Sequence, residues 1–393
     1  MNPIHSVDIF CRVIDNFGDA GVCWRLARAL ARAGLSVRLW MDDLHRLQRL
    51  RPDMNTALPR QSLDGFTLLR WDDASPEGYQ PADLVIEAFA CRMPDPMLDA
   101  LAAAVPRPAW INLDYLTAER WAKDSHGLPS PHPRLPLTQY FYFPGFESGT
   151  GGLIREADLD DAKHAFDARA RSDFLSRLGV HSGASQSSPS DRLPPNNTDR
   201  LLVSLFCYPI APVDALFAAM QAGPRVCCLV PEGVASDAVR RLTGGRADPG
   251  MEISIGQLNL KVIPFLEPDD YDRLLWSCDL NFVRGEDSLV RAHWAQQPFI
   301  WQLYPQEERA HLAKMEAFLD VFLAQDNALL WGRSVRDFWQ AWNEHDATAM
   351  MAGWPGLCAA LPLLAARAGQ WAAQVASVGE LSRGIVELAG KIR

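Results

Sequence analysis

Apolar residues in this chain fall into short continuous runs, separated by stretches in which they recur every three or four positions. The runs predict buried strands and the spaced stretches one-sided helices. Val7-Asp8-Ile9-Phe10-Cys11-Arg12-Val13-Ile14 reads as a first strand. Val22, Cys23, Leu26, Ala27 and Leu30 follow at helical spacing until Gly34, and Leu35 to Trp40 is the next strand. Strands at Asp83 to Ala88 and Ala109 to Leu113 continue the alternation. It resumes with a strand at Arg200 to Phe206, a helix from Val213 to Met220, and strands at Arg225 to Val230 and Leu258 to Ile263. Such alternation is the mark of parallel sheets covered by helices on both faces, so the predicted class is α/β with two Rossmann-like halves in tandem. Between the halves, His181 to Asn197 is rich in Ser, Pro, Gly and Asn and poor in apolar residues. The expected organisation is a domain over 1–180, a Ser/Pro-rich linker over 181–199, a second domain over 200–361 and a helical segment over 362–393. In that last segment Leu363, Leu364, Trp371, Val375, Val378, Leu381, Ile385 and Leu388 supply apolar positions. They suit a helix crossing back to the first domain or one covering a single sheet.

Composition fits this picture: 393 residues, 48% of them hydrophobic, with 13 tryptophans, can bury a large two-domain core. No apolar run reaches the roughly 20 residues of a membrane span, and no secretory signal is apparent after Met1, so no membrane association is expected. Eight scattered cysteines without a C-x-x-C pattern read as reduced thiols of a cytoplasmic protein. A net charge of −10 argues against broad binding to nucleic acid and leaves a basic protein partner open.

Candidate chemistry sits at two strand-to-helix turns. The first holds Asp15-Asn16-Phe17-Gly18-Asp19-Ala20-Gly21, at the carboxyl end of the first strand, where open α/β sheets place ligands. Only Gly18 and Gly21 of a dinucleotide fingerprint are present, and the aspartates would repel a pyrophosphate. The turn suits removal of a proton or orientation of a neutral or cationic acceptor, although Asp15 and Asp19 serve equally well as turn and cap residues. An ordinary aspartate, with a pKa of about 3.9, would be ionised here at neutral pH. The second turn, Val283-Arg284-Gly285-Glu286-Asp287-Ser288, crowds a guanidinium, two carboxylates and a hydroxyl at a helix start, where unpaired N–H groups favour anions. That set suits a phosphorylated, polyhydroxylated ligand, yet Asp287 and Ser288 are also ordinary N-cap residues. Tyr208 ends a strand with a hydroxyl suited to phosphate, and Tyr271 heads a helix with a ring suited to stacking on a base; packing explains either as well. Asp158-Leu159-Asp160 is formally a D-x-D but reads as an exposed helix start, and no metal site is expected. On the residues alone, a nucleotide-sugar transferase competes with a non-catalytic nucleotide-binding protein. A dinucleotide oxidoreductase is disfavoured by the missing fingerprint.

Three stretches together resemble a known family: Phe10 to Arg28, Gly151-Gly152-Leu153-Ile154-Arg155-Glu156, and Asn281 to Ser288. The family is the bacterial protein-arginine rhamnosyltransferases that mature elongation factor P, and the resemblance runs from about Val7 to the last helix. It implies a GT-B fold and an inverting, metal-independent transfer of L-rhamnose from dTDP-β-L-rhamnose to an arginine of elongation factor P, with no cofactor. It also implies Asp19 as general base, Asp15 as its companion in the acceptor pocket, and Glu286 as a donor-site residue that binds sugar or ribose hydroxyls and orders the reacting centre. The donor would contact Asn16, Phe17, Gly18, Tyr208, Tyr271, Arg284, Gly285, Asp287 and Ser288. Two places depart from the family pattern. Pro268, with Glu267 beside it, stands where a glutamine is usual, so no side-chain amide contact to the base is expected. Tyr271 stands where phenylalanine is common, which keeps a ring and adds a hydroxyl.

Overall fold

The computed structural model describes residues 3–71, 78–180 and 200–393. The expected linker at 181–199 and the side chain of Asn16 lie outside the described residues. The first half runs β1 (Ser6–Cys11), α1 (Asn16–Arg32), β2 (Ser36–Met41), α2 (Leu44–Leu50), β3 (Arg60–Leu63), β4 (Phe66–Arg70), β5 (Leu84–Ala88), α3 (Asp95–Ala103), β6 (Ala109–Leu113), α4 (Arg120–Ser125), β7 (Pro129–Pro131), β8 (Thr138–Tyr142), α5 (Leu159–Ala165) and α6 (Ala168–Arg177). The second runs β9 (Leu201–Leu205), α7 (Val213–Ala222), β10 (Val226–Pro231), α8 (Ser236–Thr243), β11 (Glu252–Ile255), β12 (Leu258–Ile263), α9 (Pro268–Ser277), β13 (Leu280–Arg284), α10 (Gly285–Ala295), β14 (Phe299–Gln302), α11 (Ala310–Leu323), α12 (Leu330–Glu344), α13 (Ala347–Ala376) and α14 (Leu381–Ile392).

The strands form two sheets, ordered β3-β4-β2-β1-β5-β6-β8-β7 and β11-β12-β10-β9-β13-β14. Strand order reverses beside β1 in the first sheet and beside β9 in the second. Those switch points open crevices at the carboxyl ends of the strands, where ligands of such sheets bind. Each sheet is parallel through its centre, as the apolar runs predict, but not at its margins. Strands β3, β7 and β11 pair antiparallel with β4, β8 and β12. The β3–β4 hairpin turns on Asp64 and Gly65, whose φ values of 49° and 87° form the left-handed pair that a two-residue hairpin loop requires. Strand β1 stops at Cys11, not at Ile14. The N–H of Val13 donates to the Asp42 carboxylate (2.9 Å) and that of Ile14 to Asp19 (2.8 Å), which draws the chain out of the ladder.

The helical C-terminal segment starts at Ala347 and not at Pro362. Pro355 and Pro362 both lie on the exposed face of α13, where water can take the carbonyls that their missing N–H groups leave. The buried stripe Met350, Trp354, Leu357, Leu361, Leu364, Ala368, Trp371 and Val375 passes both prolines unbroken and packs on α7 and α12, while Leu363 is exposed. By length and composition α13 could cross a membrane, with a mean hydropathy of 1.5 over its most apolar stretch. The expectation that no apolar run reaches that length therefore fails by composition for α13, where Ala349 to Ala366 holds no charged residue and only Gly353, Pro355, Gly356 and Pro362 disguise the run. The chain then crosses back: α14 packs on α1 and β6, and the N–H of Leu381 donates to the carbonyl of Leu153 (3.1 Å). In the opposite direction, Phe174, Leu175 and Val180 after α5 pack with Leu202, Leu229 and Leu274 of the second half.

Candidate active site

Two strand–turn–helix junctions face each other across the cleft, β1–α1 and β13–α10, and they are capped alike. Asp15 is the N-cap of α1, and one carboxylate oxygen of Asp19, four residues on, accepts the N–H groups of Asp15 and Ile14 (both 2.8 Å). Arg284 is the N-cap of α10, and the hydroxyl of Ser288, four residues on, accepts the Arg284 N–H (3.0 Å) and donates to the Arg284 carbonyl. In each junction a side chain of the first turn reaches back to a donor that helix geometry leaves unpaired. Neither Asp287 nor Ser288 is therefore the N-cap that its residue type suggests.

The junctions meet through Tyr208, which follows β9. Its hydroxyl donates to Asp15 Oδ2 (2.7 Å), and its backbone N–H is held by Gln302 (2.7 Å). The hydroxyl, expected to face phosphate, is thus bound to the opposite wall. Gly285, at a φ of 61°, lies against this contact: a Cβ there would stand 2.6 Å from Asp15 Oδ2 and 2.9 Å from the Tyr208 oxygen. A Cβ on Gly18 would stand 2.6 Å from the same Asp15 oxygen. Both glycines admit the carboxylate by lacking side chains.

A narrow cavity opens beside these turns. Asp15, Phe17, Gly18, Tyr208, Tyr271, Arg284, Asp287 and Ser288 line it together with Phe206, Phe265 and Pro268. The Arg284 guanidinium lies 4.5 Å from the ring centre of Tyr208, 4.7 Å from Phe206 and 5.5 Å from Phe17, an aromatic cradle that favours a cation. Its Nε and the Tyr271 hydroxyl are buried without a hydrogen-bond partner among the described residues. A buried polar group left unpaired is costly, so both are poised to accept a ligand as partner. Asp287 has no such freedom. Its oxygens accept from Arg25 Nη1 and Arg291 Nε (both 2.9 Å), while Arg25 also grips Glu156 (2.6 and 2.8 Å) and Arg291 pairs with Asp272 (2.8 Å). Burial works to raise the Asp287 carboxyl, but Arg291 and Arg25 hold it below the usual range.

Asp19 and Glu286 stand behind the cavity wall. Glu286 accepts the Leu116 N–H from the turn after β6 (3.0 Å) and the ammonium of Lys314 on α11 (2.9 Å), so its carboxylate joins the two halves. Burial raises the Glu286 carboxyl, opposed by Lys314 and the Leu116 N–H. Burial also raises Asp15, opposed by the Tyr208 hydroxyl and by Arg284. Asp19, only 2% exposed, is pushed by burial up to about 7, against its two backbone bonds and with the charges of Asp15 and Glu286 adding to the rise. The expectation of an ordinary aspartate ionised well below neutrality is corrected accordingly.

Apart from Asn16, whose side chain lies outside the described residues, the structure brings the sequence-predicted residues to these two junctions and adds others. Phe206 and Phe265 belong to apolar segments that read as core. Lys314 sits in an amphipathic helix with no distinguishing pattern around it. Arg25 and Glu156 were inside the first and second resemblance motifs without a role, and they meet Asp287 of the third. Asp158 and Asp160, the D-x-D pair, bind Arg32 and Arg155 instead. Among the described residues no group of three or more His, Cys, Asp or Glu side chains is arranged to hold a metal ion.

The family model described as elongation factor P (EF-P) rhamnosyltransferase EarP matches residues 7–389. A protein-arginine rhamnosyltransferase of Pseudomonas putida is 41% identical over 389 residues, covering 96% of this chain and 97% of that one. Its counterpart in Pseudomonas aeruginosa is 40% identical over 393 residues, covering 97% and 98%. A solved structure described as the structural basis for EarP-mediated arginine glycosylation of translation elongation factor EF-P is 30% identical, with a TM-score of 0.64 and coverage of 98% and 99%. The two facing Rossmann-like sheets are the GT-B architecture, and the chain belongs to the EarP family of elongation factor P rhamnosyltransferases.

Proposed function

We propose that this protein transfers L-rhamnose from dTDP-β-L-rhamnose to one arginine side chain of elongation factor P, with inversion at the anomeric carbon. The observation that carries the reading is the pairing of walls: an Arg284 guanidinium whose Nε has no hydrogen-bond partner among the described residues on one side of the cleft, and the buried carboxylates of Asp15 and Asp19 on the other. In this reading Arg284 and the N–H groups at the start of α10 neutralise the diphosphate, so the C1–O bond breaks with its electron pair leaving on dTDP. The Tyr271 and Phe206 rings, 5.7 Å apart, offer the base an aromatic wall, and the unpaired Tyr271 hydroxyl offers it a polar contact. Pro268 on the same wall provides no amide, in keeping with its departure from the family pattern.

A protonated guanidinium is a poor nucleophile, so the attacking nitrogen must lose a proton as its bond to C1 forms. Asp19 receives that proton, and a carboxyl near 7 is well matched to the task at neutral pH. Asp15, anchored through one oxygen by Tyr208, orients the guanidinium by charge-assisted hydrogen bonding. Glu286 holds the loop after β6 and α10 in one arrangement around the reacting centre. No step in this account uses a metal. Eight free thiols suit action in the reducing cytoplasm.

The test is the configuration of the product. NMR of the glycosylated arginine, made from dTDP-β-L-rhamnose, should show an α-linked rhamnose. A β-linked product would refute inversion while leaving transfer intact, and efficient turnover of uridine diphosphate sugars alone would refute the donor assignment.

A further inference from the structure

Three carboxylates, Asp15, Asp19 and Glu286, are buried close enough for their charges to oppose one another. Ionising three such groups together is costly unless a cation faces them. Arg284, in the aromatic cradle, acts on Asp15 through space, and the cation hydrogen-bonded to the cluster among the described residues is Lys314. Its ammonium sits 2.9 Å from Glu286 Oε1 and 5.6 Å from the ring centre of Tyr115 in the turn after β6. It is itself largely buried, with 14% of its side chain exposed. Glu286 completes the link by accepting the Leu116 N–H through its other oxygen. The groups that face Lys314 are Glu286 from α10, Tyr115 from the turn after β6 and, at longer range, Asp15 at the start of α1; Asp19, in the first turn of α1, is linked to it through Glu286 and Asp15. Arg284 and Tyr208 lie beyond Asp15, and His311 is one turn earlier on the same helix.

We propose that Lys314 is a positioning residue for the transfer: its ammonium holds Glu286 charged and bridged to Leu116, and leaves the buried acid cluster with an unprotonated base when the acceptor guanidinium arrives. The proposal rests on the transfer reading given above. Without Lys314 the same three carboxylates keep an extra proton at neutral pH, which removes the base and loosens the bridge between the halves. Lys314 touches neither the cavity of Arg284 nor the aromatic wall, so donor affinity does not depend on it.

The test is the pH dependence of kcat/KM for the wild type, Lys314→Met, Lys314→Gln and Lys314→Arg, with dTDP affinity measured alongside. Lys314→Met and Lys314→Gln should lower kcat about tenfold or more at neutral pH and move the rising limb of the profile upward by about one pH unit, with dTDP affinity unchanged. Lys314→Arg, which keeps the charge, should leave the limb in place. With an active wild type, an unmoved limb in Lys314→Met and Lys314→Gln overturns the proposal alone, as does a loss that Lys314→Arg shares in full. A wild type that transfers nothing at any pH overturns the transfer reading and this proposal with it.

Discussion

A carboxyl that burial lifts to about 7 is half ionised at neutral pH, which ties the chemistry and the stability of this fold to one titration at Asp19. If Asp19 is the base, kcat/KM rises with pH through about 7 and levels above it, and a rate that is flat from pH 5.5 to 8.5, on the order of three units, would exclude it. Stability moves the other way. The folded value lies above the ordinary 3.8, so the protonated form is favoured by the fold. Its stabilising contribution is complete below about pH 4 and is lost as pH rises through about 7. Asp19→Asn keeps an oxygen for the Ile14 and Asp15 N–H groups, so it should fold and bind dTDP as the wild type does. Its turnover should fall by roughly 10² to 10⁴, and full activity in this variant would remove Asp19 from the mechanism. Arg284→Met makes the complementary prediction. Loss of a charged hydrogen-bond donor to diphosphate, about 1.5–3 kcal/mol, should weaken dTDP binding by about tenfold or more in calorimetry.

Helices α1 and α10 are joined by Arg25, whose side chain is 1% exposed and binds Glu156 and Asp287 at once. Burial works against the Glu156 carboxylate, yet Arg25 and Arg291 hold it well below its usual range. Its contribution to stability is therefore present above the ordinary carboxylate range and lost in acid. Arg25→Met strands the Glu156 carboxylate and leaves Asp287 to Arg291 alone, and removing one member of such a group costs about 3–5 kcal/mol. A thermal melt should show a large drop in Tm at neutral pH, with dTDP binding weakened through displacement of Asp287. A Tm within a degree or so of the wild type, well under the ~1 kcal/mol scale of ordinary substitutions, would contradict the clamp. Elements of this kind differ in how far the sequence discloses them. The central strands are legible because continuous apolar runs have no other use than burial on both faces. The edge hairpins are less so, since Leu63-Asp64-Gly65-Phe66 is a turn signal flanked by strands too short and polar to stand out. Helix α13 is obscured by Pro355 and Pro362, since a proline in a helical pattern ordinarily marks a helix end, whereas here both lie on its exposed face.

Across the whole molecule, the site exists only because the halves meet. Tyr208 of the second half holds Asp15 of the first, Glu286 holds Leu116, and Arg25 holds Asp287. The residues of both walls were legible in the sequence, since Asp15 to Asp19 and Arg284 to Ser288 each concentrate unusual chemistry at a strand-to-helix turn. Their partners were not. The contact of Tyr208 with Asp15 spans 193 positions and that of Leu116 with Glu286 spans 170, and nothing local at Lys314 or Gln302 marks either as a support. The proposed ligands were likewise set by resemblance, because a guanidinium opposite carboxylates suits a phosphorylated donor and a basic acceptor without naming thymidine or rhamnose. The most direct measurement is the intact mass of purified elongation factor P after incubation with this protein and dTDP-β-L-rhamnose. A single deoxyhexose increment, lost when the acceptor arginine is replaced by lysine, is the predicted result, and an unchanged mass after prolonged incubation would contradict the account.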